Sequence, residues 1–326
     1  MIEGKILNFL RKNKDIYISG EMLSEKCGIS RVAVWKHIRR LKKMGYVIDA
    51  ISHKGYRLLR ASDKMLPYEI QNNLRTEIFG KEIFFYDSVA STNDTAYALA
   101  ENGAKEGAVV IAEHQSKGKG RFNRIWISPK QTGIYFSCVL RPKMPLKEVP
   151  KITILVAVAV AESISKTTGL NIKIKWPNDV MINDHKVSGI LTELKAEQDE
   201  VDFVILGLGI NVNTPKNVLP SHATSISCEN GKPVDRVALM RMILEKIEQY
   251  YKEVFKRGHF NDIIKKWKQY SYPMGSKVRI NLHHKKIIEG SFHSLSSDGT
   301  LLVKLTDGNI KEISAGDVEI VKQKND

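Results

Sequence analysis

The sequence predicts an α+β protein in three segments, and three observations carry that prediction. Residues 1–60 read as short amphipathic helices followed by two β-rich runs. Residues 67–270 interleave helical and strand-like runs, which argues a mixed or antiparallel sheet with helices on one side. From about Tyr272 to Lys322, short β runs alternate with turns at Asp298-Gly299 and Asp307-Gly308. Domains are therefore expected at 1–62, 67–270 and 271–326, with Ala61–Pro67 as a linker.

Composition narrows the class. The 326 residues carry three widely spaced cysteines, Cys27, Cys138 and Cys228, and no C-x-x-C pair. That usage points to reduced thiols in a cytoplasm, not to a disulfide framework or a zinc site. The opening Met-Ile-Glu-Gly-Lys lacks the basic-then-apolar order of a signal peptide. The longest apolar run, Ile152 to Ala161, is too short to span a bilayer, so no membrane association is expected. The formal charge of +15 is unevenly placed. Residues 1–60 hold 14 Lys/Arg against 5 Asp/Glu, residues 61–270 hold 29 against 24, and residues 271–326 hold 8 against 7. More than half of the excess thus sits on the first sixty residues, a concentrated field suited to a polyanion such as nucleic acid.

In the first segment Ile2, Ile6, Phe9 and Leu10 recur at helical spacing. Ser19 N-caps a short second helix that stops at Gly28, and Ser30 caps a third that runs to about Met44. Val34, Ile38 and Leu41 form the buried stripe of that third helix, and its basic residues lie on the opposite face. Tyr46–Ile51 and Gly55–Leu59 read as a small hairpin, or wing. The unit resembles a winged helix-turn-helix, whose second helix needs donors near its start for base edges and cations along its flanks for phosphates. Ser30, Arg31, Val32 and Lys36 are the candidates at the helix start; Arg39, Arg40, Lys54 and Arg57 are the candidates for phosphates. The plain alternative is a basic helical domain that binds protein or merely keeps the chain soluble. Trp35 either packs on the wing or reaches DNA.

In the central segment Ile83–Tyr86, Ala108–Ala112, Gly133–Val139, Ile172–Lys175, Val187–Leu194 and Val201–Leu208 read as strands. Thr92–Asn102, Val149–Thr168 and Val237–Lys256 read as helices. Four polar clusters interrupt these runs at element ends, where binding residues concentrate. They are Ser91-Thr92-Asn93; the loop Lys117-Gly118-Lys119-Gly120-Arg121-Phe122-Asn123-Arg124-Ile125-Trp126, preceded by Gln115; the run from Lys175 through Asn178 and Asp179 to Lys186 and Leu191; and Gly207 to Asn213. In the loop, two glycines free the backbone for close approach, and four cations within eight residues suit phosphates and carboxylates. The spacing is not that of a P-loop. Each cluster also has a plain reading: Ser91 as an N-cap, Pro177-Asn178-Asp179 as turn chemistry, Gly207-x-Gly209 as a weak glycine pattern, and the loop as a solvated basic turn.

Taken together and in this order, the clusters resemble the bifunctional biotin–protein ligases that are also biotin operon repressors. The resemblance covers essentially the full length. It rests on the Gly118–Trp126 loop, similar to the family's G-R-G-R-x-G-R-x-W, on K-W-P-N-D at Lys175–Asp179, on Lys186-Val187-Ser188-Gly189-Ile190-Leu191, and on Gly207–Asn213. Two departures are Lys119 in place of the usual Arg and Asn123 where Gly is frequent. Asn tolerates left-handed backbone angles, whereas Lys119 removes a bidentate donor.

The resemblance implies a class II synthetase-like ligase core and an SH3-like terminal barrel. It implies a reaction in which the biotin carboxylate attacks the ATP α-phosphate to give biotinyl-5′-AMP, with Mg²⁺. A lysine of a biotin carboxyl carrier domain of a biotin-dependent carboxylase then takes the biotin. In that scheme Lys186 bridges the two anions, Arg121 and Arg124 neutralise phosphate oxygens, and Asp179 either orients Lys186 or helps hold Mg²⁺. Ser91, Thr92, Gln115 and, in support, Asn93 meet the ureido ring. Gly118, Lys119, Gly120 and Arg121 close over the biotin. Trp126 offers a face to adenine, with Asn178 and Asn211 nearby, and no residue is assigned as a protein metal ligand. Biotinyl-AMP is expected to act as corepressor by ordering the loop and completing a homodimer that matches a palindromic operator. The weighed alternatives are a lipoate-type ligase and a ligand-responsive repressor without catalysis. His283, His284 and His293 are expected to be surface or strand residues.

Overall fold

The computed structural model describes residues 2–282 and 287–321. The chain divides between Asn73 and Leu74 into two compact units.

The first unit contains α1 (Ile2–Lys12), α2 (Gly20–Cys27), α3 (Arg31–Lys43), the hairpin β1 (Val47–Ile51) and β2 (Gly55–Arg60), and a short α4 (Pro67–Gln71). Its helices begin and end where local chemistry directs. Ser19 Oγ accepts from the Met22 N–H, Ser30 Oγ accepts from the Ala33 N–H, and Gly28 takes the left-handed conformation that ends α2. Ile6, Leu7, Leu10, Leu23, Val34, Ile38 and Leu41 form the core. The expected linker at 61–67 differs from what is found. Met65, Leu66 and Ile70 are buried, and the Glu69 carboxylate accepts from Arg11 and Tyr46, so this segment belongs to the domain and not to a tether.

The second unit is built on a seven-stranded sheet with the order β3-β4-β5-β9-β8-β7-β6. Its members are β3 (Ile83–Tyr86), α5 (Thr92–Glu101), β4 (Val109–Ala112), β5 (Ile134–Leu140), α6 (Val149–Thr168), β6 (Ile172–Lys175), β7 (Asp179–Ile182), β8 (His185–Glu197), β9 (Glu200–Ile210), α7 (Ile226–Asn230), α8 (Arg236–Phe255) and α9 (Phe260–Tyr270). Only β3 and β4 are parallel. Helices cover both faces, not one as expected. α5 packs over Val110, Val139, Phe203 and Ile205, while α6 meets the opposite face at Thr192 and is itself apolar nearly all round. On the face of α5, Ser91, Thr92, Asn93, Gln115 and the sheet glycines Gly189, Gly207 and Gly209 line a pocket. β7 was missed in the sequence because its first residue completes the Pro-Asn turn; Lys175 pairs with Asp179 directly across that turn.

A five-stranded antiparallel sheet follows in the same compact unit: β10 (Lys277–Asn281), β11 (Ile287–Leu295), β12 (Leu301–Lys304), β13 (Ile310–Ile313) and β14 (Asp317–Ile320), in the order β13-β12-β11-β10-β14. Gly299 and Gly308 sit at positive φ in the two expected turns. His283 and His284 lie outside the described residues, and His293 is an exposed residue of β11. Among the described residues no His, Cys, Asp and Glu cluster could hold a metal ion, and no helix is long and apolar enough to cross a membrane.

Candidate active site

Side chains alternate across a strand, so the pairing of β8 with β9 decides which residues face α5. Gly189 stands opposite Gly209, Leu191 opposite Gly207, and Glu193 opposite Ile205, all on the face that α5 covers. The glycines are needed for close approach. A Cβ at Gly207 would lie 2.1 Å from Asn93 Oδ1, and one at Gly209 would lie 2.4 Å from Trp126 Cε2. The indole and the amide therefore lie flat on bare sheet.

Ser91 N-caps α5 and is fully buried, so the plain reading of it is correct as far as it goes. The cap places Thr92 and Asn93 at the helix start against β5. Gln115 Oε1 accepts from the Thr92 N–H at 2.8 Å and lies 3.0 Å from Thr92 Oγ1. Ser137 Oγ lies 2.9 Å from Thr92 Oγ1 and 2.6 Å from Asn93 Oδ1, and Asn93 Nδ2 donates to Glu193 at 2.6 Å. Thr92, Asn93, Gln115 and Ser137 are all buried.

The cationic loop is held as a closed turn: Trp126 N–H donates to Gly118 O and Gly120 N–H to Arg124 O. Phe122 and Asn123 both take left-handed angles, φ 56° and 58°. Asn123 thus does what the expected glycine would. Lys119 is tied by its side chain to Asp94 on α5, which raises the lysine's pKa, so this departure adds an anchor for the loop. Arg121 donates to Asn178 Oδ1 at 3.1 Å and to Gly316 O at 3.3 Å; burial pushes its guanidinium down while Asp179 and Asp317 oppose that shift. Arg124 pairs with Asp317 of the terminal sheet. On β8, Lys186 Nζ stands 2.6 Å from Asp179 Oδ1, an ion pair without hydrogen-bond geometry, and 5.5 Å from the Trp126 ring centroid.

Two cavities meet here. The inner one, lined by Ser91, Thr92, Asn93, Gln115 and the sheet glycines, encloses ≈ 40 Å³; the outer cleft, lined by Arg124, Asp179, Asn211 and Asp317 among others, encloses ≈ 450 Å³. Gly120, Arg121, Trp126, Asn178 and Lys186 line both. Trp126 Nε1 and Asn211 Oδ1 are buried without a partner, as polar groups that await a ligand would be. Of the expected site residues only Gly118 lies behind the wall, lending its carbonyl to Trp126. Ser137, Glu193 and Asp317 were missed. The signal for Ser137 was a polar residue inside an otherwise apolar strand; Glu193, in the polar β8, carried none.

In the first unit Arg31, Val32, Lys36 and Arg39 are exposed on one side of α3, and Ser30 is its cap. Arg39 lies over Trp35, 4.7 Å from its centroid, so the indole packs under a cation on its own helix. Arg40 and Arg57 are each paired with a carboxylate, Glu3 and Asp49.

Residues 85–211 match the biotin/lipoate A/B protein ligase family, residues 3–57 an HTH domain, and residues 274–321 the biotin protein ligase C-terminal domain. The chain is 39% identical over 312 residues to the bifunctional ligase/repressor BirA of Bacillus subtilis, covering 93% of this chain and 94% of that one. It is 27% identical over 308 residues to the protein of the same name from Escherichia coli, covering 93% and 92%. The structure of the biotin protein ligase from Aquifex aeolicus in complex with biotin and ATP superposes with a TM-score of 0.63 at 30% identity, over 74% of this chain and 100% of that one. Fold and site together define a biotin/lipoate-type protein ligase joined to a helix-turn-helix domain. The chain belongs to the bifunctional biotin ligase/repressor family.

Proposed function

We propose that the protein joins biotin to ATP as biotinyl-5′-AMP with release of pyrophosphate, passes the biotinyl group to a lysine of a biotin carboxyl carrier domain, and represses biotin genes from operator DNA. One observation carries the ligase reading: the polar inner pocket and the outer cleft share the two cations Arg121 and Lys186 at their seam. A neutral urea suits the inner pocket's hydroxyls and amides within apolar walls. A triphosphate suits the outer cleft, where Arg121, Arg124 and Lys175 stand.

The obstacle to the first step is that two anions must meet. Lys186 places a point charge between the carboxylate and the α-phosphate, and Arg121 shares the charge that develops. Asp179 holds Lys186 in position. Trp126 bounds the inner cavity and lies against the sheet glycines, so biotin enters as the loop that carries it moves. The loop then recloses and keeps water from the mixed anhydride. Asp179, whose Oδ1 makes no hydrogen bond, is the carboxylate that would hold a nucleotide-bound Mg²⁺, which would supply further neutralisation of phosphate charge.

Loop ordering by biotinyl-5′-AMP makes the adenylate a corepressor, and a cytoplasmic homodimer presents two α3 helices to a two-fold operator. Biotin-dependent ATP–pyrophosphate exchange tests the ligase reading; exchange with lipoate and none with biotin would overturn it. Operator retention in a gel that is indifferent to biotin plus ATP would remove the corepressor.

A further inference from the structure

Lys186 faces the site against the alternation of its own strand. A residue three positions before Gly189 in β8 belongs on the opposite face of the sheet from Gly189. Yet a Cβ at Gly189 would lie 3.1 Å from Lys186 Cε and 3.2 Å from its Nζ, and Lys186 lines both cavities. The cause is one extra residue. Val180 pairs with Ser188, but the next residue, Met181, pairs with Lys186, so Val187 is inserted into β8 as a β-bulge. A bulge bends its strand and re-aims a side chain, at the expense of the regular ladder.

The backbone groups at the bulge are served from outside β7. Lys186 N–H donates to His222 O, Thr224 N–H donates to Lys186 O, and Asn211 N–H donates to Val187 O, each at 2.9 Å. The segment 222–224 is tied in turn. Thr224 is fully buried; its hydroxyl donates to Glu229 Oε1 at 2.6 Å, and its carbonyl accepts from Asn211 Nδ2 at 3.0 Å. The other Glu229 oxygen accepts from Asn183 Nδ2 at 2.7 Å. Asn183 and Asp184 form the two-residue turn between β7 and β8, both at positive φ, 47° and 62°. Glu229 of α7 thus grips the turn that leads into the bulge and the segment that pairs with it.

We propose that Glu229 is a positioning residue: by joining Asn183 to Thr224 it fixes the bulge that turns Lys186 Nζ toward the meeting point of the two anions. The inference rests on the place given to Lys186 above. A carboxylate suits the task because it accepts from two donors at once. The ion pair with Asp179 restrains the ammonium and not the backbone. A β8 that regained regular alternation would carry Lys186 to the face that α6 meets. A displacement of about 1 Å in a reacting group is enough to cost about a hundredfold in rate. Lys216 Nζ, which donates to Ala223 O at 2.7 Å, holds the same segment and should keep it folded when Glu229 is replaced.

The test is biotin-dependent exchange of labelled pyrophosphate into ATP by the full-length protein, at saturating biotin and ATP, with melting temperatures checked. Glu229→Ala and Thr224→Val should each lower kcat by about ten- to a hundredfold. Thr224→Val keeps the side chain's shape, so it reads the clamp even if Glu229→Ala does not fold. Glu229→Gln should return to within about threefold of wild type, since its amide oxygen serves Asn183 and its amide N–H reaches the Thr224 hydroxyl. In a Lys186→Ala background, Glu229→Ala should slow the residual exchange no further, because it acts only through that lysine. Wild-type rates in Glu229→Ala and Thr224→Val, a Glu229→Gln as slow as Glu229→Ala, or single effects that multiply in the double variant would overturn the proposal and leave the ligase reading intact. A wild-type protein without biotin-dependent exchange would overturn both.

Discussion

Replacing Lys186 by alanine separates chemistry from folding. Nζ stands 2.6 Å from Asp179 Oδ1, and the lysine side chain is 25% exposed. Its removal does not strand the aspartate, since Lys175 Nζ remains 3.7 Å from the other carboxylate oxygen. The fold should therefore survive with a cost of about 1 kcal/mol, the scale of a partly exposed pair. The reaction should not. An anionic oxygen about 3 Å from an ammonium gains about 5 kcal/mol at an effective dielectric of about 20. Only the part specific to the transition state counts toward rate, and loss of one such donor costs about 2.7–4 kcal/mol, or about 10²–10³-fold. Biotin-dependent exchange of labelled pyrophosphate into ATP reads this directly, with the melting temperature as the control. Exchange within about threefold of wild type, in a folded variant, would refute the assignment of Lys186 to the seam between the two anions.

Three further outcomes are expected. Gly209→Ala puts a methyl 2.4 Å from Trp126 Cε2, so the indole must leave the sheet; KM for ATP should rise about tenfold, and an unchanged KM would detach Trp126 from the nucleotide. Burial pushes the Glu248 carboxyl up, but Lys252 and the backbone N–H groups of Glu77, Phe79 and Ile78 outweigh it and hold the pKa low. Its stabilisation is thus complete above the usual carboxylate pKa of about 4.3 and fades as pH falls through the lowered value. Glu248→Gln should cost about 2 kcal/mol near neutrality and flatten the acid limb of a denaturation series, and an unaltered limb would contradict this. Arg39→Ala should lower the slope of log affinity for duplex DNA against log salt by about one; an identical slope would place Arg39 off the phosphates.

The parts of the protein legible in its sequence are those written locally. Ser19, Ser30 and Ser91 are caps because each hydroxyl meets an N–H only three residues on, and Gly28 ends α2 because it tolerates the left-handed angle. The polar clusters that line the two cavities were legible because they punctuate apolar runs. Ser137 and Glu193 were not, since each sits inside a strand and its role depends on which way that strand faces. The same holds for helices on both faces of the sheet: alternation specifies two faces but not what covers each.

Segment order, caps, basic α3 and the cationic loop were therefore determined by the sequence itself. Tertiary structure alone decided that Asn93 meets Glu193, one hundred residues away, and that Arg124 meets Asp317 across 193. Caps and turns are set by torsions and hydrogen bonds within a few residues. Strand order and register are settled by burial summed over the whole sheet, and only that sum brings an amide to a distant carboxylate.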